Sequence, residues 1–591
     1  MSFLRHWRYL LLSLVAIGAL TAFAACGGDD EEGGDGGGEE SPSPGAGERI
    51  EGGTLTVQTH EPQSLDPHFS SFAQDISFQR MFWRALYSLD TDNKPVPAYA
   101  DGDPEVSDDG TVFTVNLKEG ALWSDGEPLT ADDWVLGFLR TCNPSNAGEY
   151  QYLLSNLVGC DDYFNALAGP DGDPGTVDDN LAADSPEVAA LHDAVGVKAV
   201  DDTTIEFTLA NPGPTFQTIL SLWMTFPVPS HLVPDPGQPW PAGPDAVGAL
   251  AYNGPYELTE YVAGTSATMV PNPNWKAEYS PLGAAPTLDE IQLRFIDDFA
   301  VSQRAYETDE LQFSLVDLTQ LESTVAQYEP TGEYLKLVRP STRGLEMQTE
   351  HPPLDNLDVR LAIGKAIDWQ EMIDRCFSGG HEYSTSWIPE DIPAGQPTDY
   401  QADFYAYNVE EAQQMLEAAG GIDRELVLVV RQGTEHECAG QFIQESLRTN
   451  LGVTANLEAL EAPVRSARFR EETFDLFPGG WIQDYPDPEN WVLGQFDEPG
   501  VGLNHYNCDN QEIQDLVAEN EFNLDSAARI AAYERINEII VTEVCGIFPY
   551  YHEAEHYLVK PNVTGMLQNA TGQDSVMAGD WAIETWGYTS Q

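Results

Sequence analysis

The feature that most constrains the fold is the alternation of strand-like and helix-like segments along a chain of 591 residues. Residues 54–57 and 426–430 have the apolar, β-branched character of strands. Residues 77–89 and 359–373 have helical periodicity, and Asn408 forms a capping box with the glutamate three positions later, which predicts another helix. Strands that alternate with helices predict α/β lobes with mixed sheets. Because so long a chain exceeds one hydrophobic core, we expect two or three domains.

The N-terminus has the pattern of an export signal. Two arginines precede an apolar run over residues 9–23, which is short for a membrane span. The run ends in Phe-Ala-Ala-Cys-Gly, which resembles a lipobox. We therefore expect residues 1–25 to be a lipoprotein signal peptide and Cys26 to carry lipid; a conventional signal peptide cleaved nearby is the alternative. Residues 26–49 are rich in Gly and acidic residues and predict a disordered tether.

The charge of the chain is strongly negative. There are 97 acidic residues against 27 basic ones, which gives a formal net charge of -70. Nucleic acids and anionic membrane surfaces are therefore excluded as partners. Adaptation to a saline habitat is one interpretation, because salt screens the self-repulsion, and a generally acidic secreted proteome is the other.

Six cysteines remain once Cys26 is assigned to lipid, and an even number in an exported chain favours disulfides. Cys142 and Cys160 flank a short segment and are the best candidate pair. One arrangement of the others pairs Cys376 with Cys438 and Cys508 with Cys545. The sequence leaves this connectivity open, and without a C-x-x-C motif it predicts no structural metal.

The motifs of common enzyme classes are weak or absent. Residues 552–556 match H-E-x-x-H, but their aromatic and β-branched neighbours predict a strand. Residues four apart in a strand lie about 13 Å from one another, too far to share one zinc ion. There is no G-x-S-x-G or Walker A motif. We therefore expect no enzymatic activity and no cofactor. The acidic segment 168–180 resembles a calcium loop only weakly, and we expect a solvated loop there.

A set of motifs in a fixed order resembles the family 5 extracellular solute-binding proteins of bacterial ABC importers. The motifs with the clearest resemblance are E-P-Q-S-L-D-P-H at 61–68, W-S-D-G-E-P-L-T-A-D-D at 123–133, N-G-P-Y at 253–256 and F-D-L-F-P-G-G-W-I-Q-D-Y-P-D-P at 474–488. The resemblance covers nearly the whole chain after the export signal.

The resemblance implies a two-lobed fold of the periplasmic binding protein type, of the large class with an extra third domain and a hinge between the lobes. By analogy, lobe I consists of residues 50–86, 220–338 and 552–591. The extra domain is then 87–219, and lobe II is 339–551.

The resemblance also implies the residues that contact a ligand. In peptide-binding relatives, a carboxylate at the position of Asp484 receives the peptide ammonium, and a tyrosine at the position of Tyr150 closes over the ligand. Relatives also carry basic residues for the peptide carboxylate; Pro478 stands at one such position here, and Arg470 and Arg468 lie near the other. The segments expected beside the peptide backbone contain Glu61, Gln63, Ser64, Gly479, Gly480 and Trp481.

The implied function is capture of peptides, most of all oligopeptides, outside the cytoplasm. The partners would be the peptide and the permease subunits, with a lipid anchor on the outer face of the cell membrane, and we expect a monomer. Two alternatives stay open at this point. The fold serves another solute, such as an oligosaccharide, or it serves as a sensor or scaffold without transport.

Overall fold

The computed structural model describes residues 48–146, 148–167, 181–395, 404–496, 504–566 and 582–590. The predicted signal peptide, the lipid site at Cys26, the tether up to residue 47 and the acidic segment 168–180 lie outside these ranges. Among the described residues, no helix combines the length and the apolar character needed to span a bilayer.

The largest sheet has seven strands and forms the centre of the first lobe. Thr54–Thr59 runs parallel to Glu290–Phe295 and to Phe313–Leu315, and its inward side chains Leu55 and Val57 are buried. The alternation in the sequence therefore corresponds to one covered face of the sheet. The strands, in spatial order, are Tyr334–Val338, Ala554–Val559, Phe313–Leu315, Thr54–Thr59, Glu290–Phe295, Ser266–Pro271 and Tyr256–Val262.

The second lobe is built on a mixed sheet of six strands. Leu426–Arg431 is parallel to its two neighbours, whereas Ser341–Met347 is antiparallel to the strands on both of its sides. The strands, in spatial order, are Glu382–Tyr383, Ile547–His552, Ser341–Met347, Leu476–Ile482, Leu426–Arg431 and Ala455–Leu460.

The chain crosses between these two sheets twice, and the crossings lie side by side. One crossing leads from Val338 to Ser341 and the other from His552 to Ala554. The amide of Arg339 on the first donates to the carbonyl of Glu553 on the second, at 2.8 Å. Two adjacent crossovers of this kind form a hinge between the lobes.

A four-stranded antiparallel sheet forms the extra domain. Its strands, in spatial order, are Glu105–Val106, Val112–Asn116, Thr204–Thr208 and Val197–Asp201. The described residues also form two small sheets. One consists of strands Tyr87–Leu89 and Pro95–Pro97, and the other of strands Arg49–Ile50, Gly587–Thr589 and Val563–Thr564. The fold is thus the two-lobed α/β type with a third domain, and the exact domain boundaries stay a prediction.

The α-helices cover the faces of the sheets. They are Ala73–Arg80, Ala131–Thr141, Cys160–Phe164, Pro186–His192, Phe216–Ile219, Phe299–Glu307, Leu321–Tyr328, Leu357–Lys365, Trp369–Cys376, Val409–Ala418, Thr434–Ser446, Ala462–Arg470, Gln511–Asn520 and Ser526–Thr542. Asn408 caps Val409–Ala418, because its side chain accepts from the amide of Glu411.

Two helix predictions are wrong in extent. The predicted helix 77–89 ends at Arg80, because the following backbone bonds to a distant loop: the Gly254 amide donates to the carbonyl of Phe82, and the Arg84 amide donates to the side chain of Asn253. The predicted helix 359–373 is two helices, since Asp368 caps a new helix at Trp369.

Three disulfides lie in the described ranges. Cys142 is bonded to Cys160 with their Cα atoms 5.2 Å apart. The remaining bonds join Cys376 to Cys438 and Cys508 to Cys545. Each disulfide joins two residues of the same predicted lobe or domain. None of the three therefore links the two lobes across the hinge.

Candidate functional site

Asp484 lies just beyond strand Leu476–Ile482, where the second lobe meets the extra domain, and only 8% of its surface is exposed. Its amide donates to Oδ1 of Asn490, and Nδ2 of Asn490 donates back to Oδ2 of Asp484; both distances are 2.9 Å. This reciprocal pair fixes the carboxylate in one orientation.

Tyr150 reaches Asp484 from the extra domain. It lies on the short helix Glu149–Leu154, and its hydroxyl donates to Oδ1 of Asp484 at 3.1 Å. Burial and then the charge of Asp484 raise the pKa of Tyr150 well above its usual value, so the hydroxyl keeps its proton and remains a donor. The ring of Tyr150 packs edge-on against Trp223, with centroids 4.7 Å apart.

A cavity of about 40 Å³ opens beside Asp484. Arg80 and Arg84 line it together with Asp484, and the rest of the wall consists of Ser88, Ser221 and apolar side chains such as Leu222 and Phe226. The charge of Arg84 is balanced by the buried Glu584 at 2.7 Å. The cavity therefore combines a carboxylate with guanidinium groups in a small volume.

The segment 61–64 is held inside the first lobe. Glu61 accepts from the hydroxyl of Tyr261 and from the amide of Gly264, each at 3.0 Å. The amides of Gln63 and Ser64 both donate to the carboxylate of Asp75, at 2.8 and 3.1 Å. Burial raises the pKa of Asp75 to about 6, against the effect of these two amides. The two amides are thus already bonded within the protein.

Gly479 and Gly480 lie on a strand with an open edge. Leu476–Ile482 pairs along its whole length with Ser341–Met347, but it pairs with Leu426–Arg431 only at Leu476. Beyond that residue, the second edge has no strand partner among the described residues. An open edge of this kind can bind an extended chain through backbone hydrogen bonds.

Both glycines are required by their surroundings. A Cβ on Gly479 would lie 2.2 Å from Oε1 of Glu346, so its absence makes room for that carboxylate. A Cβ on Gly480 would lie 2.0 Å from the carbonyl oxygen of Thr342, and the φ of +149° is rarely adopted by other residues. Trp481 is partly buried and donates to Oδ1 of Asn490 at 3.2 Å, which links it to the Asp484 pair.

The two arginines predicted to meet a carboxylate are held by acidic partners on the surface. Arg470 is exposed and pairs with Glu149 of the extra domain at 2.5 Å. Arg468 pairs with Glu458 at 2.9 Å and also donates to the carbonyl of Thr473. The structure therefore brings Asp484, Tyr150 and Trp481 together, but not these two arginines.

Four residues with ionisable side chains, which the sequence analysis did not single out, lie at the other end of the open edge. Arg343, Glu346, Arg465 and Glu553 form what we call the arginine cluster. Nε of Arg343 donates to Oε1 of Glu553 at 2.7 Å. Arg465 donates to the carbonyl of Pro478, and its guanidinium lies 3.7 Å from the ring centroid of Phe477.

The charges in the arginine cluster do not cancel. Burial raises the pKa of Glu346 to about 8 despite both arginines, so this residue is a neutral acid at pH 7. Arg343 outweighs burial and holds the pKa of Glu553 at about 2. Burial lowers the pKa of Arg465 only to about 10. Two cations therefore face one anion.

The histidines of the H-E-x-x-H match lie on two consecutive strands, Ile547–His552 and Ala554–Val559, where the sequence analysis predicts a single strand. Nδ1 of His552 contacts the carbonyl of Ser341 at 2.7 Å, and Nε2 of His556 contacts the carbonyl of Gly380 at 2.8 Å. Within the described ranges, no group of three or more His, Cys, Asp or Glu side chains is arranged to hold a metal ion.

Comparison with known proteins identifies the class. The model of the bacterial extracellular solute-binding proteins, family 5 middle region, matches residues 94–502. The match covers more than half of the chain, so the protein belongs to this family. Solute binding defines the family, which is not an enzyme class.

Individual relatives agree over nearly the full length. The oligopeptide-binding protein OppA of Bacillus subtilis is 24% identical, over 90% of this chain and 93% of its own. The periplasmic oligopeptide-binding protein OppA of Escherichia coli is 25% identical, over 87% and 89%. The structure of Listeria monocytogenes OppA bound to peptide superposes with a TM-score of 0.71 and 23% identity, covering 92% of this chain and all of that one.

Proposed function

We propose that this protein is the extracytoplasmic binding component of an ABC importer, that it captures peptides as a monomer between its lobes, and that it delivers them to permease subunits. The names of its relatives support a peptide ligand. The observation that carries the proposal is the open edge of strand Leu476–Ile482. Backbone bonds at such an edge are indifferent to side chains, so one site serves many peptide sequences. On this proposal the protein has no catalytic step.

Asp484 anchors the ammonium group of the peptide in this proposal. It lies two residues beyond the strand, and Asn490 and Tyr150 hold its carboxylate in place. Charge-assisted bonds to an ammonium are strong where water is excluded. Arg80 and Arg84 line the same cavity, so an entering ammonium would bind Asp484 close to guanidinium groups.

Glu61, Gln63, Ser64, Gly479, Gly480 and Trp481 remain the residues proposed to lie beside the peptide backbone. Because the amides of Gln63 and Ser64 already donate to Asp75, their segment would contact a peptide through other groups. Arg470 keeps a proposed role in closure, since its bond to Glu149 joins the second lobe to the extra domain.

The test is Asp484→Asn, titrated with penta-alanine carrying either a free or an acetylated N-terminus. The change keeps the side-chain volume and removes the charge. We expect binding of the free peptide to weaken on the order of a hundredfold or more, since a stranded buried ammonium costs about 3–5 kcal/mol. Binding of the acetylated peptide should change little. Isothermal titration calorimetry measures both.

The exposed Asp509 on the same lobe provides the matched control, and Asp509→Asn should affect neither peptide. Equal losses for both peptides in Asp484→Asn would mean that Asp484 supports the fold only. The wild type could also fail to bind either peptide, while mass spectrometry identifies a non-peptide ligand released on denaturation. That result would mean that the natural ligand belongs to another class of solute.

An acidic non-peptide solute is the second candidate. The arginine cluster favours it, because its two guanidinium groups lie beside only one ionised carboxylate. The same mass spectrometry of co-purified ligand decides between the two candidates.

Membrane attachment through lipid on Cys26 is the proposed location, on the basis of the sequence before it. Cys26→Ser should release the protein from the membrane fraction or block its maturation, because a single hydrophobic anchor is lost. Immunoblots of the membrane and soluble fractions measure this. A mutant that stays with the membrane like the wild type would rule out the anchor.

A further inference from the structure

The short helix Pro488–Trp491 carries two neighbouring side chains that have different partners. Asn490 accepts from the amide of Asp484 and donates to its carboxylate, both at 2.9 Å, and so orients the proposed ammonium anchor. Glu489 contacts the extra domain instead, because its Oε1 accepts from the hydroxyl of Thr215 at 3.1 Å. The position of this helix therefore determines both the orientation of the anchor and a contact between the second lobe and the extra domain.

Arg529, from the long helix Ser526–Thr542, holds the short helix in place. Its two terminal nitrogens donate to the two oxygens of Asp487, at 2.8 and 2.7 Å, and Nη2 also donates to Oε2 of Glu489 at 2.5 Å. Asp487 in turn caps the short helix, since its carboxylate accepts from the amide of Glu489 at 2.9 Å. The planar fork of a guanidinium can bind both carboxylates at once, whereas the ammonium of a lysine is a point charge without that geometry.

The three side chains depend on one another because they are largely buried. Only 6% of the side chain of Arg529 and 7% of that of Glu489 are exposed. Burial and then the charge of Asp487 raise the pKa of Glu489 above its usual value, against the effect of Arg529. Without the guanidinium, two carboxylates would lie side by side with no opposite charge between them. The position of the short helix therefore depends on Arg529.

Trp481 connects the short helix to the open edge. Its indole nitrogen donates to Oδ1 of Asn490 at 3.2 Å, and it lies on the strand Leu476–Ile482. Asn490 thus contacts the strand and Asp484 with one side chain. A displacement of the short helix would move Asn490, and it would disturb the anchor and the end of the open edge together.

We propose that Arg529 is a positioning residue of the ligand site, which holds the short helix where Asn490 orients Asp484 and where Glu489 meets the extra domain. This inference rests on the proposed peptide function. Arg529 acts through the carboxylates of Asp487 and Glu489 and does not itself contact the peptide. The fork of its guanidinium, and not its charge alone, determines how strongly the site prefers a free ammonium group.

The first experiment titrates penta-alanine, with a free or an acetylated N-terminus, into the wild type, Arg529→Lys and Asp487→Asn. Arg529→Lys keeps the charge and removes the fork. Asp487→Asn keeps a capping residue and leaves one carboxylate opposite one guanidinium, so it tests the proposal even if Arg529→Lys does not fold. In both variants, the ratio of the affinities for the free and the acetylated peptide should fall about tenfold, because the anchor is no longer held in one orientation.

Arg535→Lys is the matched control for this ratio. Arg535 lies on the same long helix and pairs with the exposed Glu512 at 2.8 Å, so its replacement should leave the ratio unchanged. A wild-type ratio in Arg529→Lys and Asp487→Asn would overturn the proposal, as would losses that are equal for the two peptides. Equal binding of the two peptides by the wild type would also overturn it.

Thr215→Val tests the contact with the extra domain separately. The change removes the hydroxyl that donates to Glu489 and leaves Arg529 and Asp487 as they are. Dissociation of both peptides, measured by surface plasmon resonance, should become about threefold faster, with the ratio of the affinities unchanged. An unchanged dissociation rate would overturn the role of Glu489 in closure.

A last experiment needs no ligand and separates the positioning role from the peptide function. In protein labelled with 5-fluorotryptophan, Arg529→Lys and Asp487→Asn should shift the fluorine NMR signal of Trp481, assigned with Trp481→Phe. The signal of Trp369, which stacks on Tyr550 elsewhere in the lobe, should stay in place. If penta-alanine does not bind to the wild type but the Trp481 signal shifts in this way, the peptide function fails and the positioning role stands. A Trp481 signal that shifts in neither variant overturns the positioning role.

Discussion

Charge is held in opposite ways at the two ends of the open edge. Asp484 accepts from two neutral donors, the hydroxyl of Tyr150 and the amide of Asn490, and shares a cavity with Arg80 and Arg84. At the other end, Arg343 and Arg465 retain unused donors while Glu346 stays neutral. A carboxylate with its orientation fixed suits an incoming cation, and guanidinium groups with spare donors suit an incoming anion. In the proposed function, Asp484 would bind the ammonium group of the peptide.

The two ends of the open edge also differ in the contacts that keep their side chains in place. Asp484 depends on a contact between two domains, because Tyr150 belongs to the extra domain. The arginine cluster lies within the second lobe and reaches the hinge through Glu553. Opening of the lobes would therefore remove the Tyr150 bond from Asp484, whereas Asn490, which is in the same lobe as Asp484, would keep its bonds. Most of the second end would stay intact.

The largest effect expected is that of Glu346→Gln on stability. In the unfolded chain this acid loses its proton near pH 4.5, whereas in the folded protein it keeps the proton up to about pH 8. Between these values the unfolded form binds fewer protons, so the free energy of unfolding falls as the pH rises. Glutamine removes this loss and should stabilise the protein by up to about 3 kcal/mol at pH 7. Calorimetric melts at pH 5 and pH 8 measure it.

Three groups act on the pKa of Glu346 besides burial. Arg343, Arg465 and the amide of Gly480 all lower its pKa, but burial dominates. The exposed Glu350, close by in the sequence, supplies the control, and Glu350→Gln should show no such pH dependence. A Glu346→Gln protein whose advantage does not grow between pH 5 and pH 8 would mean that Glu346 is ionised. The cluster would then be balanced, and the contrast between the two ends would be lost.

The resemblance singles out residues at the first end of the open edge and none of those in the arginine cluster, for a physical reason. Asp484 and Trp481 belong to one continuous motif, so their spacing is fixed locally. Arg343, Arg465 and Glu553 are far apart in sequence and come together only when the strands pair and the chain crosses the hinge. No local pattern marks them, since an arginine in an alternating segment usually predicts a solvated face.

The secondary-structure predictions show the same difference between features set by local sequence and features set by tertiary contacts. The strands at 54–57 and 426–430 and the capped helix after Asn408 are confirmed, because each depends on local pattern. The helices predicted at 77–89 and 359–373 were wrong where tertiary bonds or a second cap interrupt the periodicity. The sequence analysis did not predict the arginine cluster for the same reason, because its residues come together only through tertiary pairing.

The smallest effect expected is that of Tyr150→Phe, which tests whether the first end depends on the contact between domains. The change removes the bond from the hydroxyl to Asp484 and keeps the ring against Trp223. A hydrogen bond to a charged group contributes about 1.5–3 kcal/mol, and the ligand ammonium replaces part of it, so binding of free penta-alanine should weaken about tenfold. Tyr163→Phe, whose hydroxyl accepts from Asn143 instead, should not change binding. If Tyr150→Phe weakens the free and the N-acetylated peptide equally, Tyr150 acts on lobe closure and not through Asp484. The two ends would then differ in mobility and not in the charge they recognise.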